Sequence, residues 1–234
     1  MSSSAHFIIN ILHQISANSP SLNDFMNLVS NNDFLASGVL VCILLFFWFQ
    51  HDQDRVEKRK LIINTLISCL IAIAVGRLLT RILPFQVRPV LDPKLSYLYP
   101  FQHIADSMNT SNSMPSDHAV LYTALATGIF LISKKIGLLT FLYVFGIGLF
   151  SRVYLGYHYP SDIFVGSIVG ILITLIYSHI SIKNQINQRI LKFSTNYSGI
   201  FYVLFFLLNF EIATMFKSSR DILHYAATCI FHIQ

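Results

Sequence analysis

The chain has 234 residues, 54% of them hydrophobic and only 12% charged, with a mean hydropathy of +0.59. Soluble domains carry charge on about a quarter of their residues, so a soluble enzyme is excluded and a one-domain integral membrane protein of five to seven spans is expected. The net charge of +5 does not imply nucleic acid as a partner: no Lys/Arg-rich run interleaved with aromatics falls on a polar segment, and loop cations set membrane orientation.

In chain order, no Lys or Arg precedes Arg55, so the N-terminus does not read as a cleavable signal peptide. Residues 6–29 place Phe7, Ile8, Ile11, Leu12 and Ile15, then Leu22, Phe25, Met26 and Val29, at helix-like spacing among Asn, His and Ser. That is too polar to span, and residues 1–33 are expected to form an interfacial amphipathic segment broken at Ser19-Pro20. Six apolar runs follow, at Phe34–Phe49, Leu61–Leu79, Ala119–Ile132, Ile136–Phe150, Ile163–Ile180 and Tyr197–Phe216. They predict an all-α bundle of about six transmembrane helices, with residues 34–216 as the membrane domain and 217–234 as a tail. Cys42, Cys69 and Cys229 show neither metal-ligand nor disulfide spacing and are expected to act as small core residues.

If all six runs span, one side carries Arg55, Lys58, Arg59, Lys60, Lys134, Lys135, Lys183, Arg189 and Lys192. The other side carries Arg81, Arg88, Lys94, Arg152, Lys217 and Arg220. The side richer in cations is expected to be cytoplasmic, which puts both termini outside. The outer loop of residues 80–118 is long and rich in Pro, Asn, Ser and Asp, and loops of that length are usually functional. It ends in Asn109-Thr-Ser-Asn-Ser-Met-Pro-Ser-Asp-His118, where Ser116 or Asp117 can cap the next helix.

Three polar clusters then stand at span ends on that outer side: Arg81 to Arg88-Pro89; Pro115-Ser116-Asp117-His118; and Ser151-Arg152 with His158-Tyr-Pro-Ser-Asp162. Guanidinium forks match tetrahedral oxyanions bidentately, and helix N-termini at Ser116 and Ser161 add N–H donors. Two histidines can supply a nucleophile and a proton donor. Asp162, four residues after His158, is suited to accept from one imidazole nitrogen and leave the other free to attack. The clusters hold no paired carboxylates for Mg²⁺ or Mn²⁺, and arginines are expected to supply the charge stabilisation. Metal-independent phosphoryl transfer, with neither metal nor cofactor, is the chemistry these residues suggest.

The same residues resemble the phosphatidic acid phosphatase type 2 (PAP2) superfamily, whose signature reads Lys-x6-Arg-Pro, Pro-Ser-Gly-His and Ser-Arg-x5-His-x3-Asp. Here it reads Arg81-x6-Arg88-Pro89, Pro115-Ser116-Asp117-His118 and Ser151-Arg152-x5-His158-x3-Asp162. Two positions depart from the pattern. Arg81 stands where lysine is usual, and Asp117 where glycine is usual, putting a carboxylate beside a phosphate site. The Pro-Ser-Asp-His variant and the N-terminal segment look similar to the bacterial undecaprenyl-diphosphate phosphatase branch.

The resemblance implies His158 as nucleophile forming a phosphohistidine, Asp162 holding its tautomer, and His118 as acid and then base. It implies Arg81, Arg88, Ser116 and Arg152 as phosphate ligands, with Asp117 either a helix cap or a site residue. Arg77, one turn before Arg81, faces either the site or the interface. Tyr154, Tyr157 and Tyr159 read as interface-belt aromatics, and the stripe Phe201, Phe205, Phe206, Phe210 as lipid-facing or packing surface. His6, His13, His51, His103, His179, His224 and His232 read as interfacial.

The implied activity is hydrolysis of undecaprenyl diphosphate to the monophosphate on the extracytoplasmic face of the bacterial inner membrane, recycling the lipid carrier of cell-envelope (peptidoglycan) synthesis. The substrate's tail and the membrane lipids are the expected partners. Alternatives are another lipid phosphate (phosphatidylglycerophosphate, phosphatidate or a lipid A phosphate, by hydrolysis or phosphotransfer) and a non-catalytic lipid-phosphate binder or transporter. The sequence does not encode the oligomeric state.

Overall fold

A helix that is apolar on every face has no side to turn to water and belongs in the middle of a bundle. The segment Asp117–Ile132 is such a helix. In the computed structural model, which describes residues 11–95, 98–99, 112–180 and 183–231, every residue from Ala119 to Ile129 is buried.

The described chain runs as α1 (Pro20–Asn31), a π-helical turn (Phe34–Gly38), α2 (Val39–Phe49), α3 (Arg55–Ile82), a 3₁₀ turn (Pro89–Leu91), α4 (Asp117–Ile132), α5 (Lys134–Tyr143), a second π-helical turn (Val144–Leu149), α6 (Phe150–Tyr154), α7 (Pro160–His179), α8 (Lys183–Asn196), α9 (Ser198–Ala213) and α10 (Lys217–Phe231). Residues 11–17 are also helical. No strand occurs among the described residues, and the expected all-α bundle is what the chain forms. Each of the six apolar runs is helical over most of its length, the sixth leaving its helix after Ala213.

Among the described residues, three helices are long and apolar enough to cross a membrane: Arg55–Ile82, the continuous Lys134–Tyr154, and Pro160–His179. The number rises to as many as five if each of two bent pairs is one span. Those pairs are Pro20–Asn31 with Phe34–Phe49, bent by 74°, and Ser198–Ala213 with Lys217–Leu223, bent by 91°. Central α4 is a shorter apolar helix. Large apolar side chains point outward along the bundle, among them Phe46, Leu142, Phe164, Ile176 and Phe206, as a bilayer-facing surface requires.

Helices α3, α5 and α7 pack around α4. The α4–α7 contact depends on Gly170, where a Cβ would stand 2.2 Å from the Val120 carbonyl oxygen. At the far side Trp48 of α2 stacks on Phe201 and tilts against Phe205 of α9, with ring centroids 5.6 and 4.6 Å apart. Phe201 and Phe205 are thus core, while Phe206 and Phe210 face outward. The aromatic stripe divides between the two readings offered for it.

A second apolar cluster roofs one end of the bundle: Leu12, Met26, Val90, Leu95, Leu98, Tyr99, Tyr154, Leu155, Tyr157 and Tyr159. This corrects the interface-belt reading of the three tyrosines, each no more than 5% exposed. The physical reason is that the N-terminal segment folds back over them. Tyr154 Oη donates to Asn23 Oδ1 at 2.5 Å, and His13 Nδ1 bonds the Leu98 carbonyl at 2.9 Å, so His13 is a packing residue as well. The chain breaks at Ser19-Pro20 as expected, with Pro20 opening α1. Residues 1–10 of the interfacial segment, residues 96–97 and 100–111 of the long loop, and His6, His103 and His232 lie outside the described residues.

Candidate active site

The three motifs lie far apart in sequence, and backbone hydrogen bonds join them. Val90 N donates to the Gly156 carbonyl at 2.9 Å, tying the first motif to the third. Ser116 N donates to the Asp162 carbonyl at 3.2 Å, tying the second to the third. Asn112 ties the first to the second: its Nδ2 reaches the Thr80, Leu83 and Pro84 carbonyls at 3.1–3.3 Å, and its Oδ1 accepts from Gln86 N at 3.0 Å. The turn before His158 uses Gly156 at φ +75°, and a Cβ there would lie 2.7 Å from the Tyr99 ring.

His158 is 4% exposed and Asp162 fully buried. Nδ1 of His158 bonds the Ser113 carbonyl at 2.9 Å. A carbonyl can only accept, so Nδ1 carries the proton and Nε2 presents its lone pair. Nη1 of Arg88 stands 3.3 Å from Nε2 and donates to the Tyr157 carbonyl at 3.1 Å. Asp162 Oδ2 is 3.6 Å from Nδ1, too long for a hydrogen bond. It accepts instead from Ser113 Oγ at 2.5 Å and Tyr159 N at 2.9 Å. Ser113 therefore holds both members of the expected pair, and Asp162 reaches the imidazole through its field and through Ser113.

Burial holds the His158 imidazole below its ordinary value. Asp162 opposes that shift, while Arg88 and Arg152 add to it. Burial likewise lowers Arg88, with Asp117 and Asp162 opposing and Arg152 adding. A guanidinium stays protonated through such a shift.

A cavity of about 240 Å³ opens in front of His158, lined by Arg77, Arg88, His118, Arg152 and Arg220 among others. Arg152 Nη2 donates to the Ser30 carbonyl at 2.7 Å, and its guanidinium lies 5.6 Å from the Tyr157 ring centroid. Nε of Arg88 and Nε of Arg152 are buried with no hydrogen-bond partner among the described residues. Orphan donors on a cavity wall are what an oxyanion site requires. His118 stands edge-on to Tyr122, with centroids 5.6 Å apart. Among the described residues, His, Cys, Asp and Glu side chains form no group of three that could hold a metal ion.

Five of the eight expected site residues line this cavity: Arg88, Asp117, His118, Arg152 and His158. Asp162 stands behind His158. Ser116 is fully buried and not on the wall; its hydroxyl caps α4 by accepting from Ala119 N at 3.5 Å. Arg81 is exposed and lines a neighbouring cavity instead, because Arg77, one turn earlier, occupies the face of α3 turned to the site. Arg77 Nε pairs with Asp117 Oδ2 at 2.7 Å, which answers how a carboxylate is tolerated there. At the start of α7, Asp162 accepts from Tyr159 N, while the Asp162 and Ile163 amides donate to the Tyr159 carbonyl at 3.0 and 3.3 Å.

Sequence reasoning missed Ser113, Asn112, Asp33, Lys217 and Arg220. Asn112 and Ser113 lie in the polar stretch already singled out before Pro115, but no motif distinguishes them. Asp33, Lys217 and Arg220 reach the wall only through the bends at either side of α2 and α10, and both flanks of the expected 34–216 domain thus contribute to the cavity.

Residues 83–186 match the family model described as PAP2 superfamily. Among curated proteins, the chain is similar to the bacitracin transport permease protein BcrC of Bacillus licheniformis, at 27% identity over 172 residues, covering 67% of this chain and 75% of that protein. It is similar to undecaprenyl-diphosphatase BcrC of Bacillus subtilis (strain 168), at 27% over 175 residues, covering 74% and 82%. It is also similar to lipid A 1-diphosphate synthase of Escherichia coli (strain K12), at 27% over 143 residues, covering 60% and 58%. No solved structure matches the chain.

Proposed function

We propose that this chain, whose residues 83–186 match the PAP2 superfamily model, is a membrane lipid phosphatase of that superfamily and hydrolyses undecaprenyl diphosphate to undecaprenyl phosphate through a phosphohistidine on His158. The observation that carries the reading is the pose of His158: Nδ1 anchored on the Ser113 carbonyl, Nε2 facing the cavity beside Arg88. The match to undecaprenyl-diphosphatase BcrC over 82% of its length supports the choice of substrate.

In this mechanism Nε2 attacks the terminal phosphorus in line. The bond from phosphorus to the bridging oxygen breaks, and undecaprenyl phosphate leaves with the bonding pair. His118, which takes up a proton as the anionic substrate enters the cavity, donates it to that oxygen. Arg88 and Arg152 stabilise the equatorial oxygens as charge spreads over them. The phosphoimidazolium keeps its Nδ1 proton on the Ser113 carbonyl, with the Asp162 carboxylate nearby to balance its charge. His118, now neutral, takes a proton from water, whose oxygen attacks phosphorus. The P–N bond breaks, its pair returns to Nε2, and inorganic phosphate departs.

The site is proposed to face the outside of the bacterial cytoplasmic membrane, because the loops on the opposite side carry the greater share of Lys and Arg. The test is phosphate release in EDTA from undecaprenyl diphosphate, phosphatidylglycerophosphate, phosphatidate and a lipid A phosphate, by the wild type and His158→Ala. Release fastest from the undecaprenyl lipid, and abolished in the inserted variant, is expected. Wild-type turnover by His158→Ala, or a strong preference for another lipid, overturns the assignment.

A further inference from the structure

The cavity before His158 carries more positive charge than one phosphoryl group needs. Its wall holds Arg77, Arg88, Arg152, Lys217 and Arg220 against Asp33 and Asp117, an excess of three positive charges before the histidines are counted. A phosphate monoester brings about 1.5 to 2 negative charges, and a diphosphate adds a further full charge. The cations fall into two groups. Arg88 and Arg152 stand with His158 on the α3–α4 loop and at the end of α6. Arg77, Lys217 and Arg220 come from the last turns of α3 and from the α9–α10 bend.

A second cavity of about 470 Å³ adjoins at that second group, lined by Ile73, Arg77, Thr80, Arg81, Met215, Phe216 and Arg220. Arg77, Thr80, Met215 and Arg220 belong to both walls. The shared rim is therefore cationic, and the space beyond it is part apolar and part cationic. The bend that builds it is held in an unfavourable conformation: Met215 and Phe216 both adopt left-handed backbone, at φ 54° and 58°. Non-glycine residues persist there only where the surroundings impose it, and such positions cluster at functional sites. The bend brings Lys217 and Arg220 over the cavity. Arg77 is held in place by Asp117 through its Nε, which leaves both Nη groups of the fork to an incoming anion.

We infer that Arg77 and Arg220, at the rim shared by the two cavities, form a second anion subsite that takes the phosphate retained on the lipid. This rests on the reading of the site as one for a lipid diphosphate. It assigns the terminal phosphate to Arg88, Arg152 and His158, the lipid-side phosphate to Arg77 and Arg220, and the first part of the tail to the space beside Ile73, Met215 and Phe216. It makes the subsite selective for diphosphates over monophosphates and gives Asp117 a purpose, as the group that orients Arg77.

The test is binding, so it does not depend on turnover. The detergent-solubilised protein is titrated calorimetrically with inorganic phosphate and with methylenediphosphonate, a diphosphate whose bridge cannot be hydrolysed. The wild type is expected to bind the diphosphonate about 10-fold or more tighter, as one additional charged hydrogen-bonding site implies. Arg220 is exposed, so Arg220→Gln should fold normally; it is expected to lose most of that preference while its phosphate affinity stays within about twofold. The double variant Arg77→Gln/Asp117→Asn, which leaves no unpaired carboxylate, should do the same. Equal affinity for the two ligands in the wild type, an intact preference in both variants, or parallel weakening of both ligands overturns the subsite. Hydrolysis of undecaprenyl diphosphate by the same wild-type preparation separates that result from a failure of the functional reading.

Discussion

The Ser113 hydroxyl donates to Asp162 Oδ2 at 2.5 Å, while the carbonyl of the same residue accepts from His158 Nδ1 at 2.9 Å. One residue thus joins a carboxylate and an imidazole that do not hydrogen-bond each other. Ser113→Ala removes the first bond and keeps the second. It is expected to lower kcat by about 10-fold, the worth of one hydrogen bond to a charged group, with Ser113→Thr restoring part of it. Asp162→Asn removes the balancing charge and should cost roughly 100-fold or more. Rapid-quench measurement of phosphoenzyme formation locates the loss: both variants should slow the appearance of phosphohistidine. Unchanged phosphorylation rates in both would remove Ser113 and Asp162 from the attack step.

His118 is needed in both half-reactions, but most in the second, where water must lose a proton. His118→Ala is expected to accumulate radiolabelled phosphate on the protein after mixing with terminally labelled undecaprenyl diphosphate. The label should be acid-labile and absent from the double variant with His158→Ala. If His118→Ala accumulates no label while still turning over slowly, the water step is not its task.

The buried imidazole of His158 sits below its ordinary value, so Nε2 keeps its lone pair in mildly acidic solution. The acidic limb of kcat/KM, which reports the free enzyme, should therefore fall below the unperturbed histidine value of about 6.5. Linkage gives the matching sign for stability. Below about pH 6.5 the unfolded chain takes up a proton at this histidine that the folded chain resists, so its contribution to stability declines as pH falls. A kcat/KM limb above 6.5 would contradict the burial of this histidine in the working enzyme.

Packing at the heart of the bundle predicts a sharp contrast between two glycines. Gly170→Ala places a Cβ 2.2 Å from the Val120 carbonyl and 2.4 Å from Thr123 Oγ1. The helices α4 and α7 must then separate, at a cost of about 1–3 kcal/mol or more. Gly199→Ala meets nothing within 4 Å and should be neutral or stabilising by up to about 1 kcal/mol. Thermal unfolding in detergent distinguishes the two; equal melting temperatures would mean that α4 and α7 do not pack this closely.

Much of this was legible in the sequence because it depends on local spacing. Hydropathy runs are a property of consecutive residues, so the all-α bundle and its six apolar segments follow from them. The three motifs sit at segment ends, and a helical hairpin must bring alternate ends to one side, so the meeting of Arg88, His118, Arg152 and His158 was foreseeable. The chemistry of a phosphate site follows from those side chains themselves.

Packing and loop geometry settled the rest. Arg77 and Arg81 lie on one helix one turn apart, and only the tilt and rotation of α3 against its neighbours put Arg77 on the cavity wall and Arg81 beside the next cavity. Tyr154, Tyr157 and Tyr159 resemble interfacial aromatics in sequence, and the N-terminal segment buries them by folding over from more than a hundred residues away. Ser113 gained its place from a loop whose backbone carbonyl, not its side chain, meets the imidazole. Lys217 and Arg220 reached the site through a 91° bend at two left-handed residues. The sequence by itself determined which groups were available and on which segment ends they stood; the tertiary structure alone decided which of them face the same anion, because facing depends on helix rotation and on contacts between residues that no local spacing relates.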